Sequence, residues 1–230
     1  MSKQVLDSSA YRRSLAVRDL TDAALGAHAM QLLVQNGIEA LRTLWRCPVV
    51  VYRAPPVVSV TENYDDLGYP PDGASRDARY TRYVSDALLL RSQASAMIPR
   101  ALRMIERAHY DDVLLICLGL TYRRDTIDRL HVGEPHQLDM WRVRRGRLAR
   151  EDLETMISTV ARTMLPSVPL RMDPTTHPYT LNGLEVHGRV NDAWLEILEC
   201  GIAHPAILDS AGLSSPTHSV LRWASDWIVC

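Results

Sequence analysis

The chain has 230 residues, 47% hydrophobic and 23% charged, with a formal net charge of −1. This describes a globular chain of one domain or two small ones with a real core, and excludes a disordered, collagenous or generically basic nucleic-acid-binding protein. Cys47, Cys117, Cys200 and Cys230 lie far apart with no CxxC pair, which argues against a zinc module or a disulfide scaffold and suits a reducing compartment.

In chain order, residues 19–46 carry Leu20, Ala23, Ala27, Met30, Val34, Ile38, Leu41 and Trp45 at three- and four-residue steps, which predicts a helix that Asn36-Gly37 interrupts. Two β-rich runs follow, Val49–Tyr52 and Val57–Thr61, then a long polar loop from Asn63 to Arg79. Tyr80–Val84 and Leu88–Arg91 read as short strands, Gln93–His109 as a helix, and the apolar run Asp112–Leu120 as a central strand. Leu138–Arg144 alternates like a strand. Arg150–Leu165 is a second strong helix, with Leu153, Ile157, Val160 and Met164 on one face. Val168–Met172, Leu184–Gly188 and Trp194–Leu198 are further strands, and Trp45 and Trp194 sit on apolar faces as core. Many strands with few intervening helices predict an α+β domain: a mainly antiparallel sheet with packed helices.

Standard phosphate cradles are absent: there is no GxxxxGK-Ser/Thr, and no GxGxxG follows a strand. Neither HExxH nor GxSxG occurs. His131, His136 and Asp139 lack a further ligand at metal-binding spacing. The basic run Trp141–Arg150 reads as a solvated hairpin face, with an RNA or phosphate contact as its alternative. No apolar run approaches the roughly 18 residues of a membrane span. Asp7, Arg12, Arg13, Arg18 and Asp19 take the place of an apolar signal region, which predicts a cytoplasmic chain with no membrane partner.

The segment from Thr121 to Val143 is more specific. Tyr122-Arg123, Asp125, His131 and His136-Gln137-Leu138-Asp139 stand in an order and spacing that resembles the second signature motif of class II aminoacyl-tRNA synthetases. In detail it resembles that of the phenylalanyl-tRNA synthetase α-subunit, with Asp139 in place of Glu. Asn63–Val84 resembles the stretch after the first motif of that family, and Leu89–Leu102 its LLR segment, with Gln93 for His and Ser95 kept. His177–Val186 resembles the loop that shapes the amino-acid pocket, and Trp194–Leu208 the strand and turn that follow. The resemblance spans about residues 19–213 and implies a class II synthetase core, preceded by an extension over 1–18.

That resemblance implies ATP-dependent amino-acid activation, then transfer to tRNA. A stand-alone paralogue charging a carrier protein or metabolite, and a non-catalytic amino-acid-binding or regulatory paralogue, are the alternatives. Joining a carboxylate to a phosphate calls for charge neutralisation, and a planar donor such as Arg123 can hold both anions. The resemblance places Arg123, Asp125, His131, Glu196 and Glu199 against ATP, the last two also holding Mg²⁺. It places Gln93, Ser95, Gln137, Asp139, His177, Tyr179 and Gly201 around the amino acid. His177 and Tyr179 replace two phenylalanines of the family, which implies a wider or more polar pocket. A homodimer through the first-motif region is also implied.

After Leu213 the third family motif, GxGxxR, is missing. Lys3 is the only lysine among 26 basic residues and phenylalanine is absent, which reads as a G+C-rich gene. Back-translating His218–Cys230 with G- or C-ending codons and shifting the frame yields Leu-Arg-Ala-Ala-Leu-Gly-Leu-Gly-Leu-Asp-Arg-Leu, which contains that motif. Residues 214–230 are therefore read as an aberrant, out-of-frame tail, expected to pack irregularly and to leave ATP binding weak.

Overall fold

The computed structural model describes residues 4–124, 127–128, 131–213 and 218–227, with 223–227 described by backbone alone. Strands β1 (Val49–Tyr52), β4 (Asp112–Leu120), β5 (His136–Arg145), β6 (Leu170–Thr175), β7 (Thr180–Val190), β8 (Ala193–Ala203) and β9 (His218–Trp227) form a seven-stranded sheet. Its order is β1-β4-β5-β9-β8-β7-β6. Only β1 and β4 run parallel; every other neighbouring pair is antiparallel. A small ribbon pairs β2 (Val57–Ser59) with β3 (Leu88–Leu90).

Alternation along the strands sends apolar side chains to both faces. On one face Leu114, Ile116, Met140, Val186, Leu198 and Leu221 pack beneath α2 (Ala29–Trp45) and α5 (Arg150–Met164). Each such buried Leu or Ile contributes about 1.5–3 kcal/mol. The other face carries Val113, Leu115, Trp141, Val143 and Val220 against α4 (Ile98–Arg107) and α6 (Pro205–Ser210). Two short helices, α1 (Ser8–Leu15) and α3 (Val60–Asn63), complete the α-helices among the described residues.

Local chemistry sets the helix ends. His28 accepts from the Met30 amide and starts α2, so the helix is shorter than the predicted 19–46; Asp22 caps a separate turn at Ala23–Leu25. Gly37 does not interrupt α2. A Cβ there would lie 3.0 Å from Met164 Sδ, so glycine permits the close approach of α2 and α5. At α5 the Asp152 carboxylate accepts from the Ala149 amide at 2.8 Å.

Several expectations change. Ser59 and Glu62 form a capping box that ends the Val57–Thr61 run in α3. Thr81 and Tyr83 make only isolated bridges, so Tyr80–Val84 is not a strand. Strand β4 lies one place from the sheet edge, not at its centre. Trp194 is 39% exposed with the Arg171 guanidinium 5.0 Å above its ring, so it is not core. The largest change concerns the tail: His218–Trp227 does not pack irregularly, but pairs along its whole length with β5 and over Arg222–Ala224 and Leu221 with β8.

Candidate active site

The site is built on the sheet face that carries α4 and α6. Gln137 and Asp139 lie two apart on β5, hence on one side. Glu199 and Gly201 do the same on β8. Strand β9 runs between them and supplies Arg222, which is opposite Trp141 and Gly201 in register. Ser95 comes from the 3-10 turn Ala94–Met97 ahead of α4, and His177 and Tyr179 from the connection between β6 and β7.

These residues converge on one buried network. Ser95 Oγ donates to Asp139 Oδ2 at 2.6 Å, and Trp141 Nε1 donates to Asp139 Oδ1 at 2.7 Å. The Arg222 guanidinium donates to Ser95 Oγ at 3.1 Å and lies 3.4 Å from Asp139 Oδ1 and 3.5 Å from Glu199 Oε2. Its centre sits 4.5 Å over the Tyr179 ring. Tyr179 stacks on His177, whose Nε2 reaches Glu199 Oε1 at 3.0 Å.

Electrostatics follow from burial and pairing. Burial pushes the Asp139 carboxyl up, opposed by Arg222 and by the bonds from Ser95 and Trp141. Burial also works against the Glu199 charge, but the His177 hydrogen bond and the Arg222 charge outweigh it and hold Glu199 down at about 2. Arg222 stays protonated: burial opposes its charge, and Asp139, Tyr179 and Glu199 more than compensate.

Gln137 and Gln93 fix the rim. Gln137 Oε1 accepts from the Ala94 amide at 2.6 Å, which pins the turn bearing Ser95. Gln93 donates to the Asn63 carbonyl and accepts from Tyr69, both at 3.0 Å. Gly201 is required by close packing: a Cβ would lie 2.9 Å from Thr180 Cβ and 3.2 Å from the Leu181 carbonyl oxygen.

Arg123 stands at the edge of this network, three residues past β4, in an isolated bridge with Thr81. Its Nε donates to the Ser92 carbonyl at 2.9 Å, next to the Gln93–Ser95 turn, and its amide donates to Gly133. Arg82 clamps this segment through Glu134 and the carbonyls of Arg123 and Gly133. Asp125 lies outside the described residues. His131 is exposed and paired with Asp128 at 2.9 Å, apart from the buried network. His136 is buried and accepts from the Leu20 amide, which makes it a structural residue rather than a metal ligand.

Glu196 and Glu199 are three apart, which on a regular strand places them on opposite faces. The register shift after Val186 skips Ile197, so Glu196 pairs with His187 and Glu199 with Glu185. Both glutamates therefore share the site face, Glu196 exposed and Glu199 half-buried. Among the described residues no three His, Cys, Asp or Glu side chains form a metal-binding group, so Mg²⁺ here would need phosphate oxygens to complete its shell. The basic run resolves as a paired face: Arg142 and Arg144 meet Asp112, Arg145 meets Asp111, and Arg150 meets Glu154.

Sequence reasoning missed Arg222, Trp141, Tyr69 and Asn63 as members of the site. Arg222 carried one signal: a lone charge within the apolar run Val220–Ala224, where alternation puts it on the same face as Val220.

A mainly antiparallel sheet with its polar centre flanked by helices is the architecture of class II synthetases. Pyrrolysyl-tRNA synthetase from Desulfitobacterium hafniense superposes with a TM-score of 0.63 at 14% identity, covering 86% of this chain and 66% of that one. The family model described as tRNA synthetases class II core domain (F) matches residues 26–224, and the chain belongs to that family. It is 31% identical over 150 residues to the phenylalanine–tRNA ligase alpha subunit of Nostoc punctiforme, covering 65% of this chain and 44% of that protein. It is 32% identical over 171 residues to the chloroplastic/mitochondrial phenylalanine–tRNA ligase of Arabidopsis thaliana, covering 70% and 38%. The chain thus spans less than half the length of these relatives. The bacterial relative is described as an alpha subunit, which gives no support to the homodimer expected from the first-motif region. Among the described residues no helix is long and apolar enough to cross a membrane.

Proposed function

We propose that this core performs amino-acid activation of the phenylalanine–tRNA ligase type in the cytoplasm, with ATP and Mg²⁺, and passes the acyl group to tRNA. The observation that carries this reading is the placement of Arg123 beside the turn that holds Ser95, Gln137 and Asp139. A fixed guanidinium at that edge neutralises the α-phosphate and the incoming carboxylate as they approach. Ser95, Asp139 and Glu199 supply acceptors for the ammonium of the amino acid, and His177 and Tyr179 line its side chain. Glu196 and Glu199 would supply oxygen ligands to phosphate-bound Mg²⁺.

The two polar groups on His177 and Tyr179 disfavour a purely apolar ligand, so the pocket does not strongly prefer phenylalanine over tyrosine. The test is calorimetry with Mg²⁺–ATP on the chain and on Arg123→Ala, followed by pyrophosphate exchange across an amino-acid panel. ATP binding that depends on Arg123 supports the reading. Equal heats from both proteins, with no exchange for any amino acid, would overturn it. The shifted-frame origin of residues 214–230 is a separate proposal, and resequencing the gene decides it.

A further inference from the structure

Arg222 is 2% exposed, and its guanidinium touches Asp139, Glu199, Ser95 and the face of Tyr179. Two carboxylates from β5 and β8, a hydroxyl and an aromatic face converging on one point make a cation box. Those same groups are the ones available to an amino-acid ammonium. Ser95 and Asp139 are 3% and 0% exposed, so the guanidinium leaves no second face of either open to water. We propose that Arg222 is a built-in occupant of the amino-acid position: its guanidinium stands where a substrate ammonium would, and the chain is closed to free amino acids while it is there. This rests on the proposed function for the identity of the displaced ligand, but the cation box itself does not.

The geometry supports an occupant rather than an ordinary structural pair. Arg222 is anchored from the sheet centre, with its backbone paired to Trp141 and to Gly201, so its side chain starts from a fixed point beside both carboxylates and leaves the box only by changing rotamer. Its charge meets two carboxylates, where one would satisfy it. Removing the side chain leaves Asp139 and Glu199 facing a space lined by Tyr179 and Ser95, which a small planar cation of the same shape can refill.

The experiment compares the full chain with Arg222→Ala by calorimetry and thermal shift. The probes are methylguanidinium chloride, with neutral methylurea as control, and a panel of free amino acids. The expected result is methylguanidinium binding to Arg222→Ala at least about tenfold tighter than to the unaltered chain, with no response to methylurea. Free amino acids should bind the variant more tightly than the unaltered chain, by a similar factor. If the variant folds only in part, recovery of its thermal transition by methylguanidinium and not by methylurea upholds the box, and no recovery overturns it. Equal methylguanidinium affinity in both proteins overturns the proposal, as does amino-acid binding to the unaltered chain at the variant's strength. A variant that binds methylguanidinium but no amino acid upholds the cation box and overturns the amino-acid reading of the site instead.

Discussion

Substituting Glu199 by Gln should flatten the acid limb of the stability curve. Glu199 is held at about 2 against an ordinary value of 4.5 by the His177 hydrogen bond and the Arg222 charge, which outweigh the opposing cost of burial. A carboxylate whose folded value is depressed stabilises the fold fully above its unfolded value and loses that contribution as pH falls through the folded one. The window therefore runs from about pH 5.5 down to about pH 1. The drop from 4.5 to about 2 corresponds to about 3 kcal/mol, at ~1.4 kcal/mol for each tenfold change in proton affinity. The side chain keeps 27% of its surface exposed, so solvent screening trims this toward about 2 kcal/mol. Asp139 acts in the opposite sense, because its folded value is raised; the Glu199 charge is one cause of that rise, so Glu199→Gln also relieves part of it. Urea unfolding of the unaltered chain and Glu199→Gln at pH 6, 5, 4 and 3 measures the gap. The difference should shrink steadily toward acid; two curves running parallel from pH 6 to pH 3 would refute the pairing.

Arg123→Ala should lower pyrophosphate exchange by two to three orders of magnitude, about 3–4 kcal/mol, in any form of the chain that shows exchange, while the exposed Arg147→Ala leaves the rate alone; a near-normal Arg123→Ala rate would make that residue a surface group. Trp141→Phe strips a 2.7 Å donor from the buried Asp139 carboxylate and should cost about 1–3 kcal/mol by denaturant titration, with no change if Asp139 finds another donor. Gly201→Ala forces a Cβ against Thr180 and should destabilise by about 1–3 kcal/mol, seen as a lowered melting temperature. Cys47, Cys117 and Cys200 are buried with their thiols pushed up by desolvation, Cys200 to about 12, so alkylation mapped by mass spectrometry should leave all three unmodified until the chain unfolds.

The sequence made the sheet legible where alternation or continuous apolar runs extended over many residues, as in Asp112–Leu120 and Leu138–Arg144, and made α5 legible through its apolar stripe. Strand β7 begins at Thr180 and β8 runs on to Ala203, beyond their predicted limits, because the bulges near Leu181 and Ile197 break the period-2 pattern. The candidate site was legible as a set of positions, since Ser95, Gln137 and Asp139 do meet. Its central cation was not. Arg222 lies in the stretch whose composition suggested a frame change, and only its place between β5 and β8 gives it partners. His131, read as a contact for the terminal phosphates of ATP, is exposed and paired with Asp128, apart from the buried network.

The position of β9 has a consequence for how the chain acquires its structure. The strands before it form two separate ribbons, β1-β4-β5 and β6-β7-β8, and β9 is the sole link between them in the sheet. During synthesis each ribbon can assemble as its own hairpins emerge, yet each must wait with one bare edge until His218–Trp227 has left the ribosome. The pairing of β9 with β5 also closes a loop of more than seventy residues, the costliest entropic step in the sheet. Joining the halves and seating Arg222 between Asp139 and Glu199 are thus one event, and nascent chains stalled before it should display two reactive strand edges to chaperones.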